Sequence, residues 1–183
     1  MTYRDQVRDV AFDQYGYVTT KDASDLGIPA VELRKLAARG ALSNIAYGLY
    51  RFNEVPPHAR DQFAEALLRV GEGAYLTADA VLALHDLAQV NPRRIRVGAP
   101  HRTRARLPGF IQIVDFEVPE SELTTYEGIR STTVARALLD CRGIVMRERL
   151  REATREAWLK GLLTPAERVR VRRGLAATTK TTV

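Results

Sequence analysis

The stretch Thr19 to Gly40, "TTKDASDLGIPAVELRKLAARG", constrains the fold more than any other part of the chain. It reads as two short helices meeting at Gly27. Helices below about 12–15 residues are marginal alone in water, so these two must be packed against something. Thr19 or Thr20 can cap the first, with Asp22 near its positive end. The first ends at "LGIP": Gly27 supplies the turn, and Pro29 suits the first turn of the next helix. That helix carries Leu33, Leu36 and Ala37 on one face and Arg34, Lys35 and Ala38 toward the other, and it stops at Gly40.

The flanks narrow the choice. Residues 2 to 14 form an amphipathic pattern with Val7, Val10 and Ala11 near one face, broken by "YGYV". After Gly40, "ALSNIAYGLYRF" has strand character at Ile45, Tyr47, Leu49 and Phe52, with a bend at Tyr47-Gly48. Three small helices and a two-stranded ribbon fit a winged helix-turn-helix. The third helix would then present its outer face to a major groove, which admits one helix. The other reading of the same residues is a plain three-helix bundle without a nucleic-acid role.

"NEVPPHA" reads as a proline-containing linker. It divides residues 1–55, the winged helix-turn-helix, from residues 58–175, a mixed α+β domain with a small sheet and packed helices; residues 176–183 form a tail without a core pattern. The fold class is therefore α+β. The second part opens with a helix from about Ala59 to Val70, broken by "GEGAYL". Thr77 is expected to cap a helix from Ala78 to about Ala88. "RRIRVGAP", "FIQIVDFEV" and "LTTYEGIRS" read as strands. "STTVARALLDCRG", residues 145–160 and a segment opened by Thr164-Pro165 read as helices.

Charge is distributed unevenly. The net charge is +6, and most of the 28 basic residues are arginine. Arginine donates two hydrogen bonds at once to phosphate or carboxylate, although a GC-rich genome gives the same bias. Before Pro57 the bases and acids balance. From Arg93 to Arg106 there are six arginines (93, 94, 96, 102, 104 and 106) and no acid, which points to a basic patch. The patch fits an anionic partner or a solvated loop.

Other chemistry is thinly represented. No apolar run is long enough for a transmembrane helix, and the start lacks the apolar centre of a signal peptide. A single cysteine, Cys141, fits a cytoplasmic protein. His58, His85, His101 and Cys141 lack metal-ligand spacing, and no phosphate loop or nucleophile elbow appears. No catalytic residue, metal or cofactor is expected. His85, Cys141 and Trp158 read as structural, Thr132 and Thr133 as caps, and Asp140 as a partner for Arg136. Arg147, Arg151 and Arg155 recur four apart beside Glu148, Glu152 and Glu156. That pattern fits a salt-bridged solvent face, or a surface for an acidic partner or DNA phosphate.

"GYVTTKDASDLGIPAVELRKLAARGALSNIAYGLYRF" resembles the N-terminal domain of the AbiEi-type antitoxins of type IV toxin–antitoxin systems. The resemblance rests on a glycine-aromatic-Val-Thr opening, a Leu-Gly-Ile turn, a Leu-x-x-Leu helix, an Arg-Gly stop and a Gly-x-Tyr-Arg ribbon. "GIRSTTVARALLDC" is similar to the family's strand and Thr-containing turn leading into an Arg-x-Leu-x-Asp helix. Together these span roughly residues 10 to 142. The resemblance implies an N-terminal domain that binds operator DNA, with inverted repeats, and represses its own operon. It also implies a C-terminal domain that counteracts a nucleotidyltransferase-like toxin, with no membrane partner. The expected DNA contacts are Thr19, Thr20 and Lys21; Ala30, Arg34, Lys35 and Arg39 on the third helix; Tyr47 and Arg51 in the ribbon; and Arg102, Arg104 and Arg106 in the basic loop.

Two other functions fit the residues less fully. One is a winged-helix regulator whose C-terminal domain senses a ligand or oligomerises, without a toxin. The other is a nuclease-like enzyme. Asp115 and Glu117 share a strand face, but "DFEVPESEL" offers only further acids where a metal-dependent nuclease needs Lys or Gln.

Overall fold

A computed structural model describes residues 2–101, 103, 106–115 and 117–177. They form two compact units, Met1–Glu72 and Gly73–Val183. The division falls sixteen or so residues beyond the proline linker, after the helix expected to open the second domain.

The N-terminal unit runs α1 (Tyr3–Asp13), β1 (Tyr17–Thr19), α2 (Thr20–Asp25), α3 (Ala30–Ala38), β2 (Leu42–Ala46), β3 (Leu49–Phe52) and α4 (Asp61–Val70). Thr2 opens α1 with a capping box on Asp5, and Thr19 does the same for α2 with Asp22. Pro29 is the N-cap of α3 rather than part of its first turn. Gly27, at φ 70°, makes the turn between α2 and α3 in a conformation that L side chains rarely adopt.

The three strands form an antiparallel sheet in the order β1-β3-β2. The sequence hid β1, because three residues are too few to show alternation. Strand parity decides what each face of the sheet does. Val18, Leu42, Tyr50 and Phe52 join Val7, Ala11, Ala23, Ile28 and Leu33 in the helix-turn-helix core. Tyr17 and Leu49 point the other way and are covered by Ala64 and Leu68 of α4. Thus α4 closes the second face of the wing sheet and lies within the N-terminal unit.

The C-terminal unit contains β4 (Tyr75–Leu76), α5 (Asp79–Leu84), β5 (Ile95–Gly98), β6 (Ile111–Val114), β7 (Leu123–Tyr126), β8 (Ile129–Thr132), α6 (Val134–Asp140), α7 (Arg147–Leu159) and α8 (Pro165–Ala176). Its sheet has the order β6-β5-β4-β8-β7. β4 pairs antiparallel with β5 and parallel with β8, so the sheet is mixed. The single strand expected at "LTTYEGIRS" is a hairpin, β7 and β8, turning at Glu127 and Gly128, both with positive φ.

Local signals were reliable at several helix ends. Thr133 caps α6, and Thr164 caps α8 through a capping box with Glu167 and Pro165 at the first turn. Thr77 does not cap α5. Ala78 is its N-cap, at φ 50° and ψ −130°, and α5 stops at Leu84 because Asp86, Ala88 and Gln89 take positive φ.

A polar network ties α6 and α8 to the Glu122 turn. Arg136 bonds Asp140 at 2.9 Å and Glu122 at 2.6 Å, and Arg170 bonds Glu122 at 2.9 Å. The Arg136 hydrogen bond, followed by that of Arg170, holds the Glu122 carboxyl below its usual range despite partial burial. Burial pushes the Asp140 carboxyl up, against the pull of Arg136. Cys141 is fully buried at the end of α6, and burial pushes its thiol far above the ordinary range. His85 is buried with its ring 4.3 Å from that of Tyr126, the structural place expected of it.

Candidate nucleic-acid interface

One face of α3 is open to solvent. Ala30, Val31, Arg34, Lys35 and Ala38 are exposed at i, i+3/i+4 spacing, while Leu33 is buried beneath them. A single row of side chains can therefore reach one groove. Arg34 and Arg39 have no ion-pair partner among the described residues. Lys35 bonds Glu32 at 2.8 Å, and Lys21 bonds Asp25 at 3.0 Å. Exposed pairs of this kind are worth about 0–1 kcal/mol, so either lysine can be released to a phosphate at small cost. Val31 was not expected from the sequence. Its position one turn before Arg34 is the signal that could have found it, and its exposed apolar surface suits a thymine methyl group.

Thr19 and Thr20 serve the frame more than the surface. The Thr19 hydroxyl accepts from the Asp22 amide at 3.1 Å and donates to the Asp22 carboxylate at 2.7 Å. The Thr20 amide donates to the Gly48 carbonyl at 2.9 Å. A Cβ at Gly48, where φ is 68°, would lie 2.8 Å from the Thr20 hydroxyl. The start of α2 and the turn of the wing are thereby fixed side by side, with only glycine fitting at the contact. Tyr47, next to that glycine, is fully exposed at the tip of the wing.

Arg51 is placed differently from the expectation. It lies beside Tyr17 on the sheet face that α4 covers. Its guanidinium bonds Asp61 at 3.1 Å and the Pro56 carbonyl at 3.3 Å, and it is mostly buried. The alternation Leu49/Arg51 against Tyr50/Phe52 carries that information, once α4 is known to cover the sheet. The Arg51 side chain is engaged inside the unit and does not join the α3 face.

The basic stretch of the C-terminal unit is also divided. Arg93, Arg94 and Arg106 are exposed, whereas Arg96 is ion-paired with the buried Asp79. The acid missing from the local sequence is supplied by α5. Arg102 and Arg104 lie outside the described residues.

The N-terminal unit has nine basic and ten acidic side chains through Glu72. It has no net attraction for a polyanion, so any grip depends on the local arrangement of Arg34, Lys35, Arg39 and Tyr47. Residues 5–53 match the family described as "Transcriptional regulator, AbiEi antitoxin". This match lies wholly inside the N-terminal unit and runs from α1 through the wing. No curated protein matches the chain. Among solved structures, the crystal structure of the RV2827C protein from Mycobacterium tuberculosis aligns with 97% of this chain and 83% of its own, at 16% identity and a TM-score of 0.41. That likeness is too distant to inform function.

Among the described residues, no group of three or more His, Cys, Asp or Glu side chains could hold a metal ion. The strand–turn–helix at β4 and α5 has the sharp turn on which hydrolases mount a nucleophile, but the residue at its apex is Ala78. No described helix is long and apolar enough to cross a membrane.

Proposed function

We propose that this chain is a DNA-binding antitoxin of a type IV system. It represses its own operon through α3 and the wing, and it counteracts a nucleotidyltransferase-like toxin through the C-terminal unit. The observation that carries the reading is the exposed α3 row, with unpaired Arg34 and Arg39, on a segment that matches the AbiEi antitoxin regulators. In this arrangement α3 enters the major groove of an operator with inverted repeats. Arg34, Lys35 and Val31 meet base edges, while Arg39 and Tyr47 meet the sugar-phosphate backbone. Ala30 at the start of α3 is small enough to let the helix approach closely, and Thr19, Thr20 and Lys21 support that approach from α2. Arg106 and the neighbouring Arg102 and Arg104 supply further phosphate contacts, which the nearly neutral N-terminal unit requires. The protein works in the cytoplasm and needs no cofactor.

The test has two arms. Gel shift with the DNA upstream of the gene should give a specific complex, and co-expression should rescue growth from the product of the neighbouring toxin gene. Loss of the specific complex defeats the repressor reading. A specific complex without rescue leaves a winged-helix regulator with no toxin.

A further inference from the structure

In the C-terminal unit, α7 and α8 pack so that a cavity of about 350 Å³ opens between them. Arg151 and Arg155, one turn apart on α7, line it together with Arg168 and Arg172, one turn apart on α8. Thr154 and Leu175 form part of its floor. No carboxylate is among the lining residues. None of the four arginines has an ion pair or hydrogen bond among the described residues. Of the two readings of the α7 pattern, the salt-bridged face is not formed among the described residues. Glu156 accepts from the Ala88 amide at 2.7 Å, and no ion pair joins the α7 arginines to Glu148 or Glu152.

Elsewhere in the unit Arg96, Arg130, Arg136 and Arg170 hold carboxylates, and Arg142 and Arg149 hold backbone carbonyls. Arg93, Arg94, Arg106, Arg147 and Arg173 are exposed and make no ion pair either among the described residues, but none of them lines this cavity. Four guanidinium groups around one small cavity, with no carboxylate among the lining residues, repel one another. The cavity offers a ligand many donors: among its lining side chains the one acceptor is the Thr154 hydroxyl oxygen, whose proton is donated to the Leu150 carbonyl at 2.7 Å. Its volume is at the small end of ligand sites, which run from about 300 Å³ upward.

We propose that this cavity binds a compact phosphate chain, a di- or triphosphate group, free or on a nucleotide. Arginine forks grip such oxyanions bidentately. The site is separate from the α3 face and does not depend on the antitoxin reading.

Trp158 is the chain's single tryptophan, and the Arg168 guanidinium lies 4.5 Å from its ring centroid. Its fluorescence is therefore a built-in reporter of the cavity. The full chain is titrated with tripolyphosphate at constant ionic strength, with calorimetry in parallel. The expected result is a saturable one-to-one isotherm with half-saturation below about 1 mM. The double variant Arg151→Ala/Arg172→Ala removes two exposed side chains that make no ion pair or hydrogen bond among the described residues, and should weaken binding by at least about tenfold. Arg147→Ala, on the same helix but outside the cavity, should change it by less than about twofold. ATP in place of tripolyphosphate separates the sources: equal affinity means that the phosphate chain alone is read, and tighter binding means that a nucleoside adds contacts. The proposal is overturned if binding does not saturate, or if Arg147→Ala weakens it as much as the cavity pair does. It is also overturned if a polyglutamate peptide or a DNA duplex needs these arginines while tripolyphosphate is not bound.

Discussion

The Arg51 guanidinium meets the Asp61 carboxylate at 3.1 Å across the covered face of the wing sheet, and so joins β3 to α4. The other Asp61 oxygen is buried without a partner among the described residues, so this pair already satisfies its carboxylate only in part.

Removing the guanidinium would leave that carboxylate largely buried, with the His58 amide donating to it at 3.0 Å but no counter-charge. Arg51→Ala should destabilise the N-terminal unit by about 2–3 kcal/mol, somewhat less than a fully buried pair because both side chains keep some exposure. Urea unfolding checks the loss. Below the transition, gel shift should show unchanged operator affinity, and a drop there would return Arg51 to the DNA interface.

Arg34 and Arg39 should behave in the opposite way. Arg34→Ala should cost about 1–3 kcal/mol of operator affinity and relax specificity at one base pair. Arg39→Ala should weaken specific and unrelated duplexes alike and lower the magnitude of the log–log salt slope by about 0.9. Neither should move the urea midpoint, because both side chains are exposed and unpaired.

The boundary between the units can be tested by truncation. A fragment ending near Pro57 loses the α4 cover of Tyr17 and Leu49, as well as Asp61 and Glu65. It should unfold at lower urea than a fragment ending at Glu72, by about 3 kcal/mol or more for the lost apolar cover and ion pair together. Circular dichroism of the two fragments distinguishes them. Equal stability would put the boundary at the proline linker.

Tyr17 gives a pH signature. Its hydroxyl donates to Glu65 at 3.0 Å, and burial, followed by the Glu65 charge, raises its pKa above the ordinary tyrosine value. Above pH 10 the unfolded chain loses this proton while the folded chain keeps it. The folded state then binds more protons, so stability falls as pH rises. It is fully present below about pH 10 and declines beyond it. Tyr17→Phe should cost about 1 kcal/mol at neutral pH and flatten the alkaline decline, as read from urea midpoints between neutral and strongly alkaline buffers.

What could be read from the sequence was local. The Thr19 and Thr164 caps, the Gly27 turn, the stop at Gly40 and the Tyr47-Gly48 bend each depend on residues within a few positions of one another. The exposed α3 row followed from the period of one helix. The misses needed distant partners. Strands β1 and β4 exist because Tyr17 faces Arg51 and Leu76 faces Ser131. Arg51 turned inward because a helix ten residues later covers its face, and Arg96 found its acid on α5. The arginine cavity required knowing that α7 and α8 lie side by side, which no period within either helix reveals.

The burial of Cys141 gives the C-terminal unit its own clock. The chain has one sulfhydryl, and it sits at the end of α6 with no exposure to solvent. A thiol reagent can reach it only when that unit opens, and the N-terminal unit offers the reagent nothing. Labelling followed by mass therefore times the opening of one half of the molecule while the other half stays silent. If tripolyphosphate fills the α7–α8 cavity, the clock should slow in proportion to occupancy, and an operator duplex held by α3 alone should leave it running at the same rate.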